Sequence, residues 1–238
     1  MGESLDTNKF LIKKLLQQNG VPVPHYQLFN SSKDPLDPTL RFPLISKLNE
    51  IHGEVEITAD AVSEDEKHLR ERLRFLIKTY DQSVLVEEFI VGREITAILL
   101  EGLNKKIYLA EKVFKRKRGK YIFSTFEDQW LAKANETFYY QKYQDSLLKE
   151  YVKRAFETSK MSDYSKFDIR VDSSGRYFFL DSNSNPAFGP KETDCALAYI
   201  LDLYHLSFVE ILKRLLLNTV RDYTGKTLLP PTGNDQNH

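Results

Sequence analysis

Residues 166–186, KFDIRVDSSGRYFFLDSNSNP, hold two runs rich in β-branched and aromatic residues around a Ser-Ser-Gly turn, which predicts a hairpin with strands at 166–172 and 176–181. Side chains two apart on a strand share a face, so Asp181 and Asn183 converge with Asp168 across the hairpin. Hard oxygen donors of this kind suit a magnesium ion held beside nucleotide phosphates. Acids and amides also populate ordinary turns, and spacing alone weighs the two readings about evenly. The apolar run at 177–180 tips the balance, because a buried strand that ends in polar ligand types must give them a partner.

Upstream, residues 84–96 read VLVEEFIVGREIT, an apolar strand running into Glu87 and Glu88, then Phe89, Ile90, Gly92, Arg93 and Glu94. An adenine ring wants an apolar slot with an acceptor for its amino group, and a ribose wants a carboxylate for its hydroxyls. This connector carries all three. Taken alone, solvated glutamates at a strand end are favoured at about two to one, since acids are seldom buried. Lys9 and Lys47 are candidate phosphate contacts because lysine is a mobile point charge, although each is individually an ordinary surface residue. The run Lys115, Arg116, Lys117, Arg118 beside Gly119 reads as a solvated hairpin tip, or as a tip that folds over a triphosphate. His25, His52, His68 and His205 lack metal-ligand spacing, and Trp130 and Cys195 read as structural.

Composition excludes several classes. The chain has 238 residues, 41% of them apolar, enough for a sizeable core. Its 34 basic and 34 acidic side chains balance, so no global field draws it to nucleic acid or an anionic membrane, and any anion site is local. No run approaches the roughly 20 apolar residues of a membrane helix. The opening MGESLDTNKF lacks a signal-peptide core, and the residues after Gly2 make no convincing myristoylation pattern. Cys195 is the one cysteine, which precludes an internal disulfide and predicts a reducing compartment, the cytoplasm.

Asp6 or Thr7 caps a predicted helix through Phe10, Leu11, Leu15 and Leu16, which Gly20, Pro22 and Pro24 stop before an extended entry. A short buried strand at 42–47 ends on Lys47. The spacing of Leu69, Leu73, Leu76 and Ile77 predicts a helix within 63–80, then a strand at 83–88. Strands at 93–100, 105–112 and 121–126 predict an antiparallel meander. A charged helix at 145–160 leads into the hairpin, helices at 193–203 and 208–220 close the fold, and the tail from Leu229 frays. The predicted class is α+β, with a leading helix at 1–20, one subdomain at 21–92, a second at 93–225 and a flexible tail at 226–238.

In order and spacing these pieces resemble the ATP-grasp fold, two α+β subdomains clasping a nucleotide, and specifically its D-alanine:D-alanine ligase branch, from residue 8 to about 217. TNKFLIKKLLQQNGVPVP is similar to the family's opening helix and Gly-x-Pro-x-Pro entry, and by that correspondence Lys9 contacts phosphate. FPLISKLNEIHG resembles the strand ending in the family's ATP-binding lysine, here Lys47. The resemblance implies Glu87 at the adenine amino group, Glu88, Phe89 and Ile90 beside the ring, Glu94 on the ribose, and Mg2+ or Mn2+ on Asp168, Asp181 and Asn183. Ser184 and Asn185, in the NSNP run, resemble the loop that faces the substrate carboxylate. Such ligases use ATP to make an acyl phosphate from one carboxylate, which an amine then displaces. The implied substrates are amino acids or a short peptide.

Departures from the family pattern bear on activity. The Gly- and Ser-rich lid over the phosphates is reduced to His52, Gly53, Glu54, Val55 and Glu56, whose glutamates oppose a triphosphate. FEDQW places Gln129 where another phosphate lysine is usual. Lys166 stands in place of an arginine, with Arg170 as its substitute, and both are candidate catalytic groups. Asp181 replaces the usual glutamate. The family's amino-terminal domain is not matched, which leaves a partner chain or a missing segment to supply it; by analogy a homodimer is implied. An ATP-dependent carboxylate–amine ligase is the leading reading. The alternatives are a non-catalytic or regulatory ATP-binding module of the same fold and an ATP-grasp enzyme of different outcome, such as a kinase or carboxylase subunit.

Overall fold

A computed structural model describes residues 8–51, 55–102, 104–115, 119–130 and 136–220. Helix α1 (Lys9–Gln18) buries Ile12, Lys13 and Leu16. Its cap is Asn8, whose side chain accepts from the Leu11 amide, not the predicted Asp6 or Thr7, which lie outside the described residues. Asparagine serves this place as well as aspartate, because its carbonyl oxygen reaches the same orphan amide. The amides of Lys9 and Phe10 donate to the main-chain and side-chain oxygens of Asn49, which docks the helix start on the first sheet.

That sheet contains β1 (Tyr26–Phe29), β2 (Leu44–Leu48), β3 (Val62–Ser63) and β4 (Val84–Glu88) in the order β1-β4-β2-β3. Alternation sorts its side chains: Leu44, Leu48, Val84 and Val86 pack on Leu69, Leu73 and Leu76 of α2 (Glu66–Tyr80), while Ile45, Lys47 and Glu87 fall on the other face. Asp65 caps α2, and Asp81 ends it in the left-handed region at φ 48°. Strand β1 was expected only as an extended entry; it pairs antiparallel with β4 and covers that strand's edge.

The second sheet is wholly antiparallel and runs β7-β6-β5-β8-β9, from β5 (Gly92–Leu100), β6 (Lys106–Phe114), β7 (Phe138–Tyr143), β8 (Tyr164–Asp172) and β9 (Tyr177–Asn183). On one face Ile95, Ala97, Leu109, Phe167 and Phe179 join Leu16 of α1 and Val152 and Phe156 of α4 (Ser146–Thr158) in the largest core. On the other, Ile98, Leu100 and Ala110 lie under α5 (Ala196–Leu203) and α6 (Phe208–Thr219). The remainder of that face carries Glu94, Asp168 and Asp181 and is turned to the first sheet. Gly92 makes the crossover between sheets, since a Cβ there would sit 2.1 Å from the Val171 carbonyl oxygen.

The meander differs from its expected form. Residues 122–125 form no strand and lead into α3 (Phe126–Trp130), and the third strand is β7, FYYQKY, paired to β6. Tyr121 and Phe123 instead set their rings edge-on against Phe89, with centroids 5.1 and 5.5 Å away. Aromatic residues that favour strands are satisfied by packing of any kind, so propensity alone does not fix which segment joins the ladder. The predicted hairpin holds, with β9 extended through Asn183 and a register shift between Asp168 and Ile169. His52, Gly53, Glu54, Arg116, Lys117, Arg118 and the 226–238 tail lie outside the described residues. Among the described residues no helix is long and apolar enough to cross a membrane.

Candidate active site

A cleft between the two sheets is lined from α1 by Lys9, from the first sheet by Ile45, Lys47, Glu88, Phe89 and Ile90, and from the second by Glu94, Asp168, Arg170 and Asp181. Segments that are distant in sequence thus bring nine of the anticipated residues to one place. Glu87 is not on that wall. It is fully buried beneath it, with Oε1 2.7 Å from Lys13 Nζ and Oε2 2.8 Å from Lys47 Nζ. Burial alone would push its carboxyl up, but the two ammonium groups outweigh this and hold it below the ordinary value. The Glu88 side chain turns outward to accept from the Arg41 amide. Lys9 donates to the carbonyl of Ile51.

At the hairpin end, Asp168 stands directly opposite Asp181 and Lys166 opposite Asn183 in the β8–β9 ladder. Lys166 Nζ lies 2.5 Å from Asp168, and Thr96 Oγ1 lies 3.3 Å from the other oxygen of that carboxylate. Burial works against ionised Asp181, and Lys9, Lys47 and Lys166 together overcome it. The donor set of two carboxylates and one amide suits a hard divalent cation. The buried Asn183 amide nitrogen has no hydrogen-bond acceptor, and a metal would be met by the amide oxygen. No group of three or more Asp, Glu, His or Cys residues able to hold a metal occurs among the described residues, so a metal here depends on the amide of Asn183 as well as the two acids. Ser184 and Asn185 come directly after the strand, and Asn185 accepts from the Tyr164 hydroxyl at 2.8 Å.

At the opposite end, Glu94 accepts from Lys112 at 3.0 Å, Ser124 at 2.6 Å and Arg170 at 3.1 Å. Burial would raise its carboxyl, and the two cations beside it reverse this and bring it down to about 2. Arg170 also donates to the carbonyls of Ile90 at 2.9 Å and Ile122 at 2.6 Å, and its guanidinium lies 4.9 Å from the Phe89 ring centroid. One side chain therefore ties the strand crossover, the segment at Ile122 and the Glu94 carboxylate together.

The acidic lid also reads differently in three dimensions. Glu56 accepts from the Tyr80 hydroxyl at 2.7 Å and from Arg72 at 3.0 Å, so its charge is spent on α2 and not presented to the cleft. Sequence reasoning missed Lys13, Lys112 and Ser124. Lys13 had a usable signal, a lysine one helical turn after Lys9 on the same side as Ile12 and Leu16. Lys112 had none, since its partnership with Glu94 exists only through the β5–β6 register.

Two sheets closing on a cleft of lysines and paired carboxylates define the class as an ATP-grasp protein, a fold shared with D-alanine–D-alanine ligase from Bacillus anthracis (TM-score 0.68, 18% identity, 90% of this chain and 67% of that one). VanG D-Ala:D-Ser ligase from Enterococcus faecalis is similar in the same way (TM-score 0.69, 19% identity, 90% and 62%). The family model described as D-ala D-ala ligase C-terminus matches residues 15–212, and the chain belongs to that family. Curated relatives include the uncharacterized protein y4sG of Sinorhizobium fredii, 29% identical over 191 residues, 78% of this chain and 55% of that protein. The D-alanine–D-alanine ligase of Aquifex aeolicus is 25% identical over 196 residues, 78% and 61%. The chain therefore spans between about half and three-fifths of the length of these relatives.

Proposed function

We propose that the chain binds ATP with magnesium in the inter-sheet cleft and acts as a carboxylate–amine ligase on amino acids or a short peptide. The observation that carries this reading is the facing pair Asp168 and Asp181 ringed by Lys9, Lys47 and Lys166. Paired acids with lysines beside them at one cleft suit a metal-bound polyphosphate. Asp168, Asp181 and Asn183 would hold the metal, which when bound neutralises charge on the phosphate oxygens.

Each remaining group has a role by position. Phe89, Ile90 and Ile45 supply the apolar slot for the base, Glu88 borders it, Glu87 lies buried beneath it, and Glu94 serves the ribose. Lys9 and Lys47 meet the phosphates. Lys166, beside the metal ligands, balances the charge on the phosphoryl group as it passes to the substrate carboxylate oxygen. ADP leaves in that transfer; the amine nitrogen then attacks the acyl carbon, the C–N bond forms as the C–O bond to phosphate breaks, inorganic phosphate leaves, and the surplus amine proton passes to solvent. Ser184 and Asn185 face the substrate carboxylate. Arg170, holding three oxygens at once, keeps the base end of the cleft in shape for this chemistry.

Calorimetry of ATP binding with and without magnesium, on the native chain and on an Asp181→Ala, Asn183→Ala double variant, tests this directly. Magnesium-dependent binding that the double variant loses, together with amino-acid-dependent phosphate release, is the expected result. Binding without such release would point to the non-catalytic module, and no binding would overturn the reading.

A further inference from the structure

We propose that Lys13 is a positioning residue for nucleotide binding: by neutralising Glu87 permanently, it allows Lys47 to leave that carboxylate for a phosphate. The proposal rests on the inter-sheet cleft being a nucleotide site.

Two lysines share the one carboxylate of Glu87, and their situations differ. Lys13, 3% exposed, is enclosed by α1, β4 and β9, and besides Glu87 at 2.7 Å its ammonium donates to the carbonyls of Phe179 and Leu180, both at 3.2 Å. One ion pair and two hydrogen bonds, all from buried groups, hold its ammonium in place. Lys47, 12% exposed, lies 2.8 Å from the other Glu87 oxygen and borders the open cleft, where Lys9 and Asp181 are its neighbours. One lysine is fixed, and the other faces the space a phosphate would take.

The charge balance gives this asymmetry its consequence. A buried carboxylate with a single counter-ion binds it tightly, because losing that partner strands an uncompensated charge in a medium of low dielectric. With Lys13 in place, Glu87 stays paired when Lys47 swings away, and the surplus positive charge belongs to the cleft. Without Lys13, Lys47 becomes the lysine that must balance Glu87, and each phosphate contact it makes is opposed by that pull. Burial pulls the Lys13 ammonium toward the neutral form, and Glu87 is the largest influence opposing it.

A purely structural Lys13, a tie between α1 and the two sheets, predicts a different mutational pattern. The full chain is prepared as K13M, E87Q and K13M/E87Q, glutamine retaining an oxygen acceptor at position 87. Two quantities are measured: the rate at which an acetylating reagent labels Lys47 without nucleotide, read by peptide mass spectrometry, and ATP affinity by calorimetry with magnesium. K13M should slow Lys47 labelling about fivefold and weaken ATP about tenfold or more, and adding E87Q should bring both back to within about threefold of native. Loss in K13M without rescue by E87Q, or native values in folded K13M, overturns the proposal. Should K13M fail to fold by circular dichroism, K13Q and K13R replace it: slower Lys47 labelling and weaker ATP binding in K13Q with near-native values in K13R support the proposal, and native values in folded K13Q overturn it. A native chain that binds no ATP defeats the nucleotide reading itself, which is distinct from a native chain that binds while K13M matches it.

Discussion

Glu94 shows how far a single side chain can be taken from its solution behaviour by its neighbours. Its carboxyl ionises at about 2 in the folded chain against 4.5 for the free side chain. The folded state therefore prefers the ionised form, and the stability this adds is fully present above about 4.5 and is lost as pH falls from there toward 2. A depression of this size is worth about 3 kcal/mol. Urea midpoints measured between pH 7 and pH 2 should fall less steeply for Glu94→Gln than for the native chain, and parallel curves would contradict the depressed ionisation. At neutral pH the same variant leaves Lys112 and Arg170 without their shared anion, for a loss of about 3–5 kcal/mol. Lys166 makes the complementary case for chemistry. Lys166→Met should lower amino-acid-dependent phosphate release about 100-fold while Lys166→Arg retains most of it, since the charge and not the ammonium shape is what the site requires. An arginine variant as slow as the methionine one would argue against that role.

The β8–β9 hairpin is the element on which most of the site depends. It carries Lys166, Asp168 and Arg170 on one strand and Asp181 and Asn183 on the other, and its opposite face inserts Phe167 and Phe179, with ring centroids 5.9 Å apart, into the main core. Phe179→Ala should cost about 3–5 kcal/mol in chemical denaturation. It should also weaken ATP binding more than the milder Phe179→Leu, because the Phe179 carbonyl holds Lys13 and Asp181 lies two residues on. Equal ATP affinity in the two variants would mean that the cleft-facing edge does not register what the core face does. This hairpin was legible because its signal is local: a turn, two β-favouring runs and a polar exit within one stretch. Strand β7 was not, because residues 121–126 carry equal strand propensity. What separates the two is that the rings of Tyr121 and Phe123 find Phe89 on the first sheet while Phe138–Tyr143 finds the edge of β6.

Across the whole molecule, the cleft exists because α1, the two sheets and the crossover at Gly92 hold lysines of α1, β2 and β8 around carboxylates of β8 and β9. Ligand binding to such a seam should stabilise the fold as a unit. At a hundredfold excess over Kd, ATP with magnesium adds about 2.7 kcal/mol and should raise Tm by about 5–10 °C, an increase that a chelator removes. A Tm that ignores both additions would argue against a nucleotide at the seam. The sequence by itself determined the α+β class, most helices and strands, the β8–β9 hairpin and the resemblance to ligases, because each of these is written in short-range periodicity or in compact motifs. Only the tertiary structure decided that Glu87 is locked between Lys13 and Lys47, that Arg170 clasps three oxygens, that Glu56 is spent on Arg72 and Tyr80, and which segment completes the second sheet. Those outcomes turn on which distant groups meet, and a charge or an aromatic ring takes its role from the partner that the fold brings to it.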